Sequence, residues 1–406
     1  MLSVTLWPAL QCRNSRNTGK TLAMSKRNLS IDMFRGLTMV LMVFVNDFWS
    51  VFDVPHFLEH FGPGEDGMGL ADIVYPMFLF AMGMSVPLAI DKRYEKGFSG
   101  ESTLLHILGR TLALLLMGAF IVNSEEGVAW NKGVYWLVML AGFFLVWNVY
   151  PKDFKPQGLL RLLGAVILAG LAIAYRSPEG GLFRAGWWGI LGQIGWMYLF
   201  AATAYLLCRK KTWILWVLWA AFCLVNLSVA PLRDGSTLVG GNFAGDFSEA
   251  LNLGNGHSIV MALGGLLTTL ADRKLQKSRV AAGLSAAAVL ALLGFVTHQW
   301  WIVSKIQGTL PWCLYCSAIS VALYTVLRVL EKRGLTGWFR PIRLGGTATL
   351  TVYMIPYLMA SLWVFVNPTV PGWLAGWVGI GKCAVYTALV MCVAWVLDRL
   401  KIKLKI

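Results

Sequence analysis

Apolar segments long enough to cross a lipid bilayer recur along the whole of this 406-residue sequence, and they constrain its fold more than any other feature. They are about 17–25 residues long, the length of a membrane-spanning helix rather than of the roughly ten-residue strands of an outer-membrane barrel. Hydrophobic residues make up 57% of the chain and charged residues 14%, against about 45–50% and about 25% in soluble domains. The sequence therefore predicts an all-α, polytopic bundle of transmembrane helices.

The hydropathy pattern predicts twelve helices, with ten or eleven as the alternatives. Their expected positions are 33–52, 71–91, 103–123, 134–150, 157–175, 188–207, 212–230, 257–272, 280–303, 311–331, 346–366 and 375–398. We expect one transmembrane domain over 29–398, between a cytoplasmic tail over 1–28 and a basic cytoplasmic tail over 399–406. Met24 is an alternative to Met1 as the start of the chain.

Basic residues form clusters at every second connection between the predicted helices, for example Arg209-Lys210-Lys211. Only five of the 35 lysines and arginines lie in the alternate connections, namely Lys132, Arg176, Arg184, Arg233 and Lys305. Cytoplasmic loops are enriched in Lys and Arg, so both termini are expected in the cytoplasm, and the net charge of +15 indicates topology rather than nucleic-acid binding. We expect Lys305, in a short outer loop, to be a solvated charge.

The seven cysteines lie mostly within apolar segments, so a disulfide framework is not expected. Cys313 and Cys316 have the spacing of a redox or metal motif, but a second pair and a flanking histidine are missing from it. We interpret both as helix-packing residues. The sequence has no His, Cys and carboxylate grouping with metal-ligand spacing, so no metal cofactor is expected.

Ionisable and amide side chains are concentrated between Ser30 and Pro87, within and between two apolar segments. A charge near the centre of a bilayer costs at least about 2.5–3.5 kcal/mol, so such a concentration indicates a functional site. Asp32 and Asn46 are separated by roughly 21 Å along a helix with a rise of about 1.5 Å per residue, which places them near opposite faces of the membrane. The residues concerned are Asp32, Arg35, Asn46, Asp47, Glu59, His60 and Asp72.

Several of these side chains have two interpretations that the sequence leaves open. Asp32 and Arg35 share a helix face, so they either form an ion pair or cap, or hold the phosphates of a cytoplasmic ligand. His60, in a loop beside carboxylates, suits a general base or an acyl-accepting nucleophile, and His56 competes for that role. Asp72 begins the next helix as a cap or as a catalytic group.

The segment Leu29–Thr38, LSIDMFRGLT, followed by Val45-Asn46, His60 and the GLADIVYP sequence of 69–76, resembles the catalytic-domain signature of the heparan-alpha-glucosaminide N-acetyltransferase family. The resemblance is specific over about residues 29–90. Looser similarities follow at Gly109-Arg110, Leu191–Gly195 and His257–Ala262. Between His60 and Asp72 the chain departs from the family's pattern, because 61–67 reads FGPGEDG in place of a Trp-Asn-Gly motif.

The resemblance implies transfer of acetyl from cytosolic acetyl-CoA to the amine of glucosamine, or of a glucosamine-terminated saccharide, across a bacterial inner membrane. His60 stands at the position of the family's active-site histidine and Asn46 at that of its asparagine, a candidate oxyanion donor, with Asp72 as a third catalytic candidate. The expected cofactor-binding residues are Asp32, Arg35 and Arg110. The expected acceptor-binding residues are Asp47, Glu59, Gln193, His257 and Ser258.

Two other functions stay open, a sugar or ion transporter and an O-acyltransferase of cell-surface polysaccharide. A transporter is expected to place its polar groups near the membrane midplane in two related halves, whereas here they lie at the ends of the first helix and in the next loop. Transfer through an acyl-histidine and direct transfer in a ternary complex are both compatible with the residues. The oligomeric state is also open, with a homodimer as one alternative.

Overall fold

The computed structural model describes residues 28–151, 153–238, 255–275, 278–366 and 371–406. All but the last residue of the predicted tail over 1–28, and much of the loop over 231–256, lie outside the described residues. Within the described part, twelve helices of 16 or more residues occur, one at each predicted position, and two isolated bridges are the only β-type pairings. The prediction of an all-α polytopic bundle is therefore confirmed.

The helices begin and end as follows: α1 Leu29–Asn46, α2 Leu70–Glu95, α3 Gly100–Glu126, α4 Lys132–Trp147, α5 Gln157–Ala174, α6 Ile190–Cys208, α7 Trp213–Val229, α8 His257–Lys274, α9 Arg279–Thr297, α10 Leu310–Lys332, α11 Thr349–Val366 and α12 Gly376–Arg399. Among the described residues, nine of them are long and apolar enough to span a membrane. Helices α4 and α7 are shorter and apolar, and α8 carries three charged residues in its last turn. The chain is an integral membrane protein.

The largest differences between the predicted and the observed helix ends occur in two helices. The first was expected over 33–52 but begins at Leu29, because the Asn28 side chain accepts a hydrogen bond from the Ile31 N–H and caps it. It ends at Asn46, and a short 3₁₀ turn follows. The helix expected over 280–303 ends at Thr297, because the residues after it turn away to contact another loop.

Helix α8 lies at the centre of the bundle, where it packs against α2, α6, α7 and α10. Its contact with α2 is close because both helices carry glycine at the crossing. A Cβ atom on Gly83 would lie 1.9 Å from the Ala262 carbonyl oxygen, and one on Gly265 would lie 2.0 Å from that of Phe80. Small residues let membrane helices approach this closely, so the glycines determine the distance between α2 and α8.

Connections that the charge pattern assigns to the same side of the membrane contact one another. At the predicted outer end, the Phe52 N–H donates to the Leu374 carbonyl oxygen and the Gly67 N–H to that of Val303. At the other end, which we call the inner end, the C-terminal segment pairs with the α4 to α5 connection. There the Val149 N–H donates to the Lys403 carbonyl oxygen. The chain therefore alternates between two ends, and the cytoplasmic location of its termini stays a prediction.

The close crossing of α2 and α8 predicts that Gly265→Ala destabilises the protein. Overpacking of this kind costs about 1–3 kcal/mol, so the thermal midpoint for loss of monodisperse protein in detergent should fall. Gly170→Ala is the matched control, because Gly170 lies within α5 and a Cβ atom added there would have no other atom within 4 Å. The control should keep or raise the midpoint, and equal midpoints for the two variants would contradict the packing account.

Candidate active site

The carboxylate of Asp72 is the buried centre of the outer end of the bundle, with 1% of its side chain exposed. It lies in the first turn of α2, where Oδ2 accepts hydrogen bonds from the Gly69 N–H at 3.1 Å and the Phe61 N–H at 3.0 Å. Gly69 permits this turn, because a Cβ atom there would lie 1.9 Å from the Glu59 carbonyl oxygen. Asp72 thus caps α2 and fixes the end of the preceding loop.

The second oxygen of the same carboxylate orients His60, whose Nδ1 lies 2.7 Å from Oδ1. Because an ionised carboxylate can only accept hydrogen bonds, we assign the proton to Nδ1 and the lone pair to Nε2. The His60 side chain is 54% exposed, so its imidazole is accessible at the outer end of the bundle. Of the two interpretations of Asp72, the structure shows the helix cap, and it adds a contact with the histidine; the catalytic role stays a prediction.

The competing histidine, His56, lies outside this arrangement. Its ring stacks on that of Phe61 at 4.2 Å between centroids, and its Nε2 lies 3.7 Å from a carboxylate oxygen of Glu65. Among the described residues, the structure gives His56 no hydrogen bond to Asp72. The geometry therefore favours His60 as the reactive histidine.

Lys305 joins the pair, which the sequence analysis did not anticipate. Its Nζ lies 3.1 Å from Nδ1 and 3.5 Å from Nε2 of His60, and 3.7 Å from Oδ1 of Asp72. Burial lowers the pKa of the Lys305 ammonium group, and the Asp72 carboxylate acts in the opposite direction. The expectation of a solvated surface charge is wrong, because the outer loop folds back over His60. A separation of 245 residues left no local signal for this contact.

A second carboxylate, Asp66, fastens the loop of Lys305 to the loop of His60. Its Oδ1 accepts a hydrogen bond from the Val303 N–H at 2.8 Å and lies 2.7 Å from His298 Nε2, while Arg233 pairs with Oδ2 at 2.7 Å. Burial alone raises the pKa of Asp66, but these hydrogen bonds together lower it below the usual value. The contact is therefore complete above the usual carboxyl range and is lost only as the pH falls through the lowered pKa. We call this contact the Asp66 latch.

A polar cluster surrounds Tyr75, which lies about one helical turn after Asp72 on α2 and therefore farther from the outer end. The Tyr75 hydroxyl donates to Gln193 Oε1 at 2.6 Å, and the Ser258 hydroxyl donates to the same oxygen at 3.0 Å. Two predicted acceptor-binding residues, Gln193 and Ser258, are thus brought together on α6 and α8. Tyr75 was missed, although its position three residues after Asp72 on one helix face was a readable signal.

His257 lies beside this cluster, packed against the Trp312 ring at 5.8 Å between centroids. Its Nδ1 is buried without a hydrogen-bond partner. It lies so close to Gly308 that a Cβ atom added to that glycine would be 2.6 Å from Nδ1. Trp312 in turn donates from Nε1 to the Asp72 carbonyl oxygen at 3.2 Å. His257 is therefore near the Asp72 centre through Trp312, without contacting His60 in the described structure.

Among the described residues, no hydrogen bond joins the other predicted outer residues to the imidazole. Asn46 is exposed at the last residue of α1, and the hydrogen bonds of the described residues do not join it to His60. Asp47 is buried and pairs with Lys382 of α12 at 2.7 Å, and the same ammonium group donates to Ser50 at 2.6 Å. The Glu59 backbone packs against Gly69, with its side chain half-buried. Asp47 is consequently engaged in the fold.

At the inner end, the predicted cofactor-binding residues are in three settings. Asp32 is buried in the first turn of α1, and the Arg35 guanidinium donates to the Thr349 hydroxyl at 3.1 Å. Arg110 stacks over the Tyr198 ring at 4.7 Å, with Nε buried and without a partner. It therefore lies within the α3 to α6 interface.

A further cationic cluster at the inner end escaped the sequence analysis. Arg209 and Arg273 both pair with the Asp91 carboxylate, at 3.3 Å and 2.6 Å, and the Tyr205 hydroxyl donates to it at 2.9 Å. Two guanidinium groups share one carboxylate here, so the cluster keeps a net positive charge. The sequence analysis interpreted both arginines as topology signals. It did not predict that they contact the same carboxylate, Asp91, on α2.

The outer arrangement suits proton transfer or nucleophilic attack at Nε2 of His60. A buried carboxylate fixes the ring and its tautomer, the imidazole is 54% exposed, and an ammonium group lies beside the ring. Among the described residues there is no group of three or more His, Cys, Asp or Glu side chains with the geometry of a metal site.

Comparisons with known proteins agree with the resemblance seen in the sequence. The model of a family described as a domain of unknown function, DUF5009, matches residues 27–231, just over half of the chain. The heparan-alpha-glucosaminide N-acetyltransferase of Mus musculus is 31% identical over 140 residues, which are 30% of this chain and 20% of the mouse protein. The Homo sapiens protein of the same name is 34% identical over 122 residues, 28% of this chain and 17% of the human protein. The chain thus matches about a fifth of the length of these relatives.

The Asp66 latch predicts that Asp66→Asn loosens the outer loops. The change removes the charge that holds Arg233 and His298, a loss of roughly 1 kcal/mol at this partly exposed site. Amide hydrogen exchange should accelerate in residues 62–67 and 298–305. Asp234→Asn is the control, because the hydrogen bonds that its carboxylate accepts in the described part of the chain are local, from Ser236 and its own backbone. Unchanged exchange in Asp66→Asn would contradict the latch.

Proposed function

This chain belongs to the DUF5009 family and is similar to two proteins named heparan-alpha-glucosaminide N-acetyltransferase, and from this premise we propose that it is a membrane-embedded, acetyl-CoA-dependent N-acetyltransferase. The acceptor is the amine of glucosamine or of a glucosamine-terminated saccharide on the periplasmic side of a bacterial inner membrane. The observation that carries the proposal is the pair of His60 and buried Asp72 at the outer end of the bundle, 2.7 Å apart.

The two substrates approach from opposite sides of the membrane. Acetyl-CoA is a cytosolic thioester whose nucleotide carries several phosphate charges, and arginines hold such groups through paired N–H donors. We assign Arg35 and Arg110 to this side, with Asp32 orienting the start of α1. A pantetheine arm that enters from the inner face then carries the thioester toward the outer third of a core about 30 Å thick.

In the direct route, His60 acts as a general base. Its Nε2 takes a proton from the acceptor amine while the amine nitrogen attacks the thioester carbonyl carbon. The new C–N bond forms, the C–S bond breaks, and the CoA thiolate leaves and receives a proton. Asp72 keeps the Nδ1 proton in place and stabilises the imidazolium that forms, the role of a buried carboxylate partner.

In the acyl-enzyme route, Nε2 attacks the thioester first. The acetyl group forms a bond to Nε2 as the C–S bond breaks and the CoA thiolate leaves. The acceptor amine then attacks the acetyl carbon, the bond between that carbon and Nε2 breaks, and the amine's proton passes to the CoA thiolate. Both products are the same as in the direct route, so the two differ only in the intermediate. The exposed half of the His60 ring is compatible with either order of events.

The polar cluster below Asp72 supports an acceptor site on this side of the bundle. Tyr75, Gln193 and Ser258 place two hydroxyls and one amide on facing helices, a set of groups that suits a sugar's hydroxyls. His257, Glu59 and Asn46 complete the proposed acceptor contacts.

The proposal predicts that His60→Ala lowers the rate of acetyl transfer by about 10²–10⁴-fold, because the side chain supplies the base or nucleophile. The measurement is the formation of labelled N-acetylglucosamine by purified protein in detergent from radiolabelled acetyl-CoA and glucosamine. Acid-labile label that stays on the wild-type protein without acceptor would select the acyl-enzyme route.

His56→Ala is the matched control for the same assay. It removes a histidine from the same loop that stacks on Phe61 without joining the hydrogen bond to Asp72, and most of the activity should survive. Undiminished product from His60→Ala would remove that residue from the mechanism. If the wild-type protein forms no product but transports glucosamine into liposomes, the transporter alternative replaces this proposal.

A further inference from the structure

The ammonium group of Lys305 lies beside the imidazole of His60 rather than in line with one of its nitrogens. Its distances to Nδ1 and Nε2 are 3.1 Å and 3.5 Å, whereas a donor aligned with the lone pair of either nitrogen would be much farther from the other. Nδ1 is also engaged with Asp72. Lys305 therefore serves neither as the partner that fixes the ring nor as a blocking hydrogen bond to Nε2.

The reacting carbonyl oxygen comes close to this ammonium group in either route. In the acyl-enzyme route the acetyl carbon bonds to Nε2 and its oxygen lies one bond farther, and in the direct route the attacked carbon lies next to the amine held at Nε2. When the nucleophile adds, the carbonyl π bond breaks and its electron pair becomes the negative charge of an oxyanion. A positive donor near that oxygen is stabilising only once the charge develops.

We propose that Lys305 is a catalytic residue whose ammonium group stabilises the oxyanion of the acetyl-transfer step, the role predicted from the sequence for Asn46. The inference deepens the proposed function and rests on it. Lys305 lies outside the segment 27–231 that the family model matches, so the family resemblance does not supply this role. Asn46, in contrast, makes no hydrogen bond to His60 among the described residues.

Burial and a neighbouring carboxylate act in opposite directions on the charge of Lys305. The titratable groups that face it are Asp72 on α2, His60 on the preceding loop and the thiol of Cys316 on α10. Asp72 is the nearest opposite charge, and it favours the ammonium form. Burial of the Lys305 side chain lowers its pKa from the ordinary lysine value of 10.5, so the charge is lost at lower pH than in a solvated lysine.

Lys305→Met tests the proposal in the full-length protein, with acetyl-CoA and glucosamine as substrates. Loss of one oxyanion donor lowers kcat by about 10²–10³-fold, and we expect the KM values to change little. Lys305→Arg keeps the charge and should restore much of kcat. Lys382→Met is the matched control: Lys382 is also 28% exposed and also pairs with a buried aspartate, Asp47, but no histidine of the described residues hydrogen-bonds to it.

The pH dependence separates a catalytic role from a structural one. If the ammonium form is required, wild-type kcat falls as the pH rises through the lowered pKa of Lys305. Lys305→Arg should move this basic limb to higher pH, because a guanidinium stays protonated. A structural role would lower the amount of active protein without moving the limb, so an unmoved limb in Lys305→Arg would overturn the inference.

The outcomes distinguish this inference from the function on which it rests. If the wild-type protein forms N-acetylglucosamine and Lys305→Met retains its kcat, Lys305 is not the oxyanion donor and the proposed function stands. The same conclusion follows if Asn46→Ala loses kcat and Lys305→Met does not. A parallel loss of kcat in Lys305→Met and Lys382→Met would assign the effect to an unpaired buried carboxylate, which also overturns the inference. If the wild-type protein forms no product, the proposed function itself fails.

Discussion

The outer half of this protein depends on the burial of one carboxylate. A buried charge is costly unless it is paired and hydrogen-bonded, and Asp72 meets that requirement with two backbone N–H groups, the His60 ring and the Lys305 ammonium group. Three of these partners come from the loop before α2, and Lys305 comes from the loop before α10. The carboxylate therefore caps α2, folds the loop before it and draws in the loop before α10.

A rigid helical framework holds these outer loops in place. Glycine crossings bring α2 and α8 close together, so the side chains near the outer ends of these helices have fixed positions. Two further buried or half-buried aspartates, Asp47 and Asp66, join α1 to α12 and the His60 loop to the Lys305 loop. The reactive groups thus lie on loops whose ends are fixed, an arrangement suited to precise placement of substrates.

The sequence was sufficient for the architecture and for half of the outer site. Apolar length located all twelve helices, and the signature around His60 and Asp72 pointed to a pair that the structure brings together. Lys305 could not be found this way, because its partners are more than 230 residues away and it has no periodic pattern around it. The helices that end at Asn46 and Thr297 were predicted to be longer, because apolar residues continue after both positions and hydropathy alone does not mark where the helix stops.

The central claim is that acetyl transfer takes place at Nε2 of His60, at the opposite end of the bundle from the bound nucleotide. A structure of the protein in a lipid nanodisc with a thioether analogue of acetyl-CoA tests it most directly. The account predicts the analogue's acetyl-mimicking carbon within about 3.5 Å of Nε2, and its nucleotide near Arg35 and Arg110 at the inner end. An analogue whose two ends both lie at the inner end, away from His60, would contradict it.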